Sequence, residues 1–202
     1  GAIVGNTKPG SLVRNLTSII PMWREIDFAQ IRPLILPLVL GSTFGAIFVA
    51  NVSQALILPM LVIGFLVVEY AGVIAKYISK KVFVLATFVT GMYGGVFGAG
   101  ISLLIVSLLR IKGATDAQLY QMRANALFLE IFFTATAVVV FISYGLIQTP
   151  IMFTWAAGAI IGGYLGGIIL KFTGKLSGLT QRNILRGAFI FAIMVAMVSL
   201  VQ

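Results

Sequence analysis

The residues best placed to do chemistry here are glycines. Gly91-Met-Tyr-Gly94-Gly95-Val-Phe-Gly98-Ala-Gly100 packs five of them into ten positions. A dinucleotide fingerprint needs a strand before it and an acidic residue about 20 positions later, whereas this run lies between apolar helical segments. Two uses remain. Glycines let membrane helices approach closely, or they break a helix and turn backbone N–H groups towards a ligand. The start of a half-helix favours an anion, because free donors and macrodipole both attract negative charge. So many glycines exceed what a packing seam requires, so a break is expected. Gly94, Gly95, Gly98, Ala99 and Gly100 would then face the ligand, with Ser102 and Ser107 on the half-helix that follows.

The second candidate group is Arg123, Asn125 and Glu130. Arg123 and Glu130 are two helical turns apart and so lie near one face. Charges within a membrane are costly and face a cavity or a partner. Arg123 either pairs with an anion, helped by Asn125, or snorkels at a helix end. Glu130 lies deeper, as a proton-coupling group or as the counter-charge to a basic neighbour. Glu69, near a span end, is expected at the interface or against Lys76. With no cysteine and no histidine, disulfides, thiol chemistry, histidine-based zinc or haem sites and histidine general bases are excluded. Neither cofactor nor metal is expected.

The elements that must position these residues are membrane spans. Sixty per cent of the 202 residues are hydrophobic and 9% charged, and the mean hydropathy is +1.10. A soluble domain of this length has too little interior for so much apolar surface. Spans of about 20 residues are read at 31–50, 54–74, 150–172 and 183–201, with a long helix at 117–147 and a weaker span at 1–23, whose head Lys8 and Arg14 make polar. The stretch 82–109 is too long for one span and holds the glycine cluster. Gly41/Gly45 and Gly158/Gly162/Gly166, at spacing four in regular spans, read as helix packing. Trp23 and Trp155 read as interfacial anchors. The 14 Lys and Arg against 5 Asp and Glu are topogenic loop charges, and no segment has the basic–aromatic face of a nucleic-acid binder.

The chain also resembles itself. Residues 26–47 lie on 147–168 without a gap, setting Gly41 and Gly45 on Gly162 and Gly166. A register two residues different puts Asn6-Thr7 opposite Asn125-Ala126, which brings Asn6 and Thr7 into the candidate site. The expected domains are a first transmembrane repeat at 1–80, its start missing, and a second at 82–202. The basic loops fall on one side, as the positive-inside rule requires, only if 82–109 enters and leaves on the same face. The halves are then inverted. The fold class is therefore all-α and polytopic, with two inverted repeats and a Gly-broken re-entrant helix, an architecture that puts the binding site near mid-membrane.

Gly94-Gly95-Val-Phe-Gly98-Ala-Gly100, followed by Leu103–Leu109 and Ala124-Asn125-Ala126, resembles the TauE/SafE family of sulfite exporters. So does the charged turn Glu25-Ile26-Asp27 leading into a Pro- and Gly-containing helix at 33–45. The resemblance covers nearly the whole chain. It implies a carrier of the bacterial or archaeal inner membrane for sulfite, a sulfonate or a related organosulfur anion, built from two related halves. The chain departs from the family where Ile101-Ser102 replace further glycine and Ser107 replaces a proline.

The expected function is thus transport of a small anion by alternating access. The partners are that anion and the lipid bilayer, with no nucleic acid; an oligomer is compatible with the sequence. Two alternatives are an acyltransferase-like membrane enzyme, with chemistry falling on Ser102, Glu130, Glu69 or Asp116, and a non-transporting membrane subunit. No serine–base pair favours the enzyme, and the short loops offer little docking surface.

Overall fold

The computed structural model describes residues 2–52, 70, 73, 82–98, 100–111, 113–114 and 119–173. The expected spans at 54–74 and 183–201, Glu69, the loop with Lys76, Lys80 and Lys81, and Ala99 and Asp116 lie outside these residues. Among those described the fold is all-helical. Helix α1 (Ala2–Ile19) continues into a 3-10 turn at Ile20–Glu25, and α2 (Phe28–Asn51) follows. Next come α3 (Phe83–Val96), α4 (Ile101–Ile111), α5 (Leu119–Ser143) and α6 (Thr149–Thr173). Three of these, at Phe28–Asn51, Leu119–Ser143 and Trp155–Phe172, are long and apolar enough to cross a bilayer. Their outward side chains suit lipid: Leu36, Phe153 and Phe172 are each more than 60% exposed.

The expected interruption of 82–109 is present as two helices, α3 and α4, separated at the glycines. Helix α4 packs its apolar face between α2 and α5. Ile101, Ile105 and Leu109 meet Ile31, Leu34 and Leu38 on one side and Met122, Leu129 and Phe133 on the other. The α5 terminus closes with Gly145 N–H on the Ile142 carbonyl and Leu146 N–H on the Phe141 carbonyl, the pairing that satisfies a helix's last free acceptors.

The glycine cluster divides its labour. Gly91 and Gly95 pack against α2: a Cβ at Gly91 would meet the Leu38 carbonyl oxygen, and one at Gly95 that of Ser42. Gly41 and Gly45 of α2 answer with equally close approaches to the Phe88 and Met92 carbonyls of α3, as their spacing predicts. Gly98 and Gly100, with φ of +78° and +71°, make the break itself. Packing and breaking were alternatives in the sequence, and this segment does both.

On α6 the expected packing stripe needs correction. A Cβ at Gly158, Gly162 or Gly166 would meet nothing within 4 Å. Gly163 and Gly167, one position on, are the ones pressed against α1, at the Arg14 and Ser18 backbone. The Ser18 hydroxyl donates to the Gly163 carbonyl at 2.8 Å.

Helix directions follow from such contacts. Along α1 and into α6, Gly5 meets Leu146, Gly10 meets Trp155, Arg14 meets Gly163 and Ser18 meets Gly167. The two helices therefore run parallel. Helices α2 and α5 do likewise, through Asp27 with Asn125 and Ser42 with Phe133.

Candidate functional site

At the break, the N–H groups of Phe97 and Gly98 both reach the Tyr93 carbonyl, at 2.9 and 3.4 Å. A regular helix would instead send Gly98 N–H to the Gly94 carbonyl. That carbonyl accepts from Lys8 Nζ of α1 at 2.6 Å. The lysine is 2% exposed and lies at the C-terminal, negative end of α3, where a cation is favoured. Gly98 makes room for it, since a Cβ there would sit 3.2 Å from Nζ. Helix α4 then begins at Ile101, with its positive end at the same place.

A cavity of about 170 Å³ opens beside this break. Helix α1 contributes Lys8, Ser11 and Arg14; the break contributes Phe97, Gly98 and Ile101; α5 contributes Glu130, Phe133 and Thr134. Glu130 is 1% exposed and has a partner at each carboxylate oxygen. Ser102 Oγ donates to Oε1 in a short hydrogen bond, and Arg14 Nη2 lies 3.5 Å from Oε2. The same guanidinium is anchored more closely on Asn15 Oδ1, at 3.2 Å from Nε and 2.9 Å from Nη2. Lys8 and Arg14 against Glu130 leave the lining one positive charge in excess. In a poorly solvated site such an excess attracts an anion strongly.

Arg14 also lines a larger groove of about 640 Å³ between α1 and α6, with Thr7, Ser11, Trp155 and Gly162. Its side chain is half exposed, so it forms part of the wall between groove and cavity. Trp155, expected as an interfacial anchor, belongs to the groove wall.

Of the residues singled out in the sequence, Gly94, Gly98, Ser102 and Glu130 come together here. Gly95 faces α2, and Gly100 turns the chain into α4. Thr7 is in the groove. Arg123 lies near the start of α5, two turns from Glu130, and does not line the cavity. Asn125 is fully buried and occupied elsewhere: its Oδ1 accepts from Asp27 N–H at 2.8 Å and its Nδ2 donates to Gln30 Oε1 at 2.8 Å. Asn6 Oδ1 accepts from Gln148 N–H at 2.6 Å. Both asparagines thus hold the start of another helix.

Sequence reasoning missed Lys8, Ser11, Arg14 and Thr134 as site residues. The first three recur at every third position along α1 and so share a face, a polar stripe in an otherwise apolar segment. That signal was visible, but it read as the wet end of a weak span.

The family described as sulfite exporter TauE/SafE matches residues 2–200, nearly the whole chain. No curated protein matches, and no solved structure does.

Proposed function

The chain belongs to the sulfite exporter TauE/SafE family, and we propose that the anion such a membrane transporter moves is held in the cavity at the helix break. The observation that carries this reading is the pairing of two cations, Lys8 and Arg14, with a single carboxylate in a closed pocket where α3 ends and α4 begins. An oxyanion there would take the Lys8 ammonium and the Arg14 guanidinium, with the Ser11 and Thr134 hydroxyls beside it. Gly98 lets these groups converge. The site residues expected from sequence narrow accordingly to Gly94, Gly98, Ser102 and Glu130, joined by Lys8, Ser11, Arg14 and Thr134.

Transport by alternating access of two inverted repeats, in a bacterial or archaeal cytoplasmic membrane, is the second part of the proposal. Its support is a set of matched contacts. Asn6 holds Gln148 as Asn125 holds Asp27, and these residues correspond in the self-alignment. The Arg14 carbonyl lies against Gly163 as the Phe133 carbonyl receives the Ser42 hydroxyl. Ser11 and Glu130, also corresponding, both line the cavity. Since α1 runs parallel to α6 and α2 to α5, while α2 turns back from α1, the counterparts α1 and α5 run in opposite directions. That is the relation an inverted repeat requires.

The site is tested by sulfite binding to purified protein. A hydrogen bond to a charged group contributes about 1.5–3 kcal/mol, so Lys8→Met should weaken sulfite binding by about 10- to 100-fold. Unchanged affinity in a folded Lys8→Met protein would remove the cavity from the account.

A further inference from the structure

Glu130 is the one carboxylate in the cavity, and its contacts suit exchange. Among the described residues, the charged groups facing it are Lys8 and Arg14, both from α1. Helix α4 offers the Ser102 hydroxyl, while α2 and α3 add no titratable side chain to the lining. The Arg14–Glu130 contact, at 3.5 Å, is the longest the guanidinium makes, against 2.9 Å to Asn15. Asn15 therefore keeps the arginine in place when Glu130 is released. An oxyanion entering a cavity of about 170 Å³ competes with Glu130 for the same guanidinium. The carboxylate would then face a second anion, buried, with only a hydroxyl to oppose it. A buried charge stripped of its partner is strongly disfavoured, and a titratable group escapes by taking up a proton.

Resting on the proposed site, we infer that Glu130 is protonated as the anion binds, so that the protein binds a doubly charged oxyanion together with one proton. The charges balance. Lys8 and Arg14 against Glu130 give one net positive charge when the cavity is empty. With Glu130 neutral, the two cations meet the two charges of a sulfite dianion. A singly protonated sulfite reaches the same state by passing its proton to Glu130. The neutral carboxyl keeps a partner, donating its O–H to Ser102 Oγ or to the anion. The substrate class is then the small dianionic oxyanion, and what crosses the membrane is one anion plus one proton.

The test is calorimetric titration of the purified protein with sulfite, in two buffers of different ionisation enthalpy, at a pH where free sulfite is the dianion. The wild type should take up about one proton per sulfite bound, falling towards none at a pH where sulfite is already singly protonated. Glu130→Gln should bind sulfite with no proton uptake. Binding by the wild type without proton uptake would overturn the inference and leave the proposed site standing, as would Glu130→Gln taking up the same proton. Absence of sulfite binding by the wild type would overturn both. If Glu130→Gln does not fold, the two wild-type titrations decide alone.

Discussion

A lysine ammonium buried in a membrane helix bundle must have an acceptor, and in this protein the acceptor is a backbone carbonyl that a regular helix would have used itself. Lys8 and the broken helix therefore explain each other: Gly98 removes the donor from Gly94, and Lys8 replaces it. Gly98→Ala tests this pairing. A side chain at positive φ costs about 1–2 kcal/mol, and the Cβ would crowd the ammonium, so both thermal stability and sulfite affinity should fall. A variant that loses neither would show that the break does not depend on glycine there. At this scale the sequence was partly legible. Ser102 and Glu130 could be picked out as polar groups near a glycine cluster. Lys8 and Arg14 could not be assigned, because their partners at 94 and 130 lie in distant segments and apolar helices carry no local pattern that says which neighbour they meet. Asn125 was misjudged for the same reason, its partners being Asp27 and Gln30 on another helix.

Between elements, close approach is governed by which glycines face which helix. Spacing four correctly marked Gly41 and Gly45, which meet α3. The same spacing on α6 selected Gly158, Gly162 and Gly166, although Gly163 and Gly167 make the contact with α1. Five glycines among Gly158, Gly162, Gly163, Gly166 and Gly167 form two adjacent stripes, and glycine has no side chain to reveal which stripe is buried. The consequence is a contrast between neighbours. Gly163→Ala puts a Cβ into Thr17 and the Arg14 backbone and should cost about 1–3 kcal/mol by overpacking. Gly162→Ala meets open space and should be neutral, or gain up to about 1 kcal/mol from helix propensity. Thermal unfolding of the two detergent-solubilised variants checks the pair; equal effects would contradict the α1–α6 packing described.

For the molecule as a whole, membrane residence was legible from composition, because a surplus of apolar surface has only lipid to face. The inverted repeat rests on less in the sequence and gains its support from the matched contacts. Two outcomes follow from it. Asn6→Ala and Asn125→Ala each leave a buried backbone N–H without its acceptor, which costs about 1–3 kcal/mol, so the two variants should destabilise to a similar degree. Single cysteines at Glu25 and Gln148, in a chain with none of its own, should be labelled from opposite sides of a sealed vesicle, because these turns join corresponding helices of halves that are upside-down relative to each other. Labelling from the same side would end the inverted-repeat proposal.

The central claim is that the anion binds at the broken helix, between α1 and α5. Sulfite flux into proteoliposomes, comparing Arg14→Met with Arg123→Met at matched reconstitution, tests it most directly. Arg14 lines the cavity and Arg123 does not, so Arg14→Met should reduce flux at low sulfite by about tenfold or more, while Arg123→Met retains most of it. Full flux in the Arg14 variant with loss in the Arg123 variant would contradict the account.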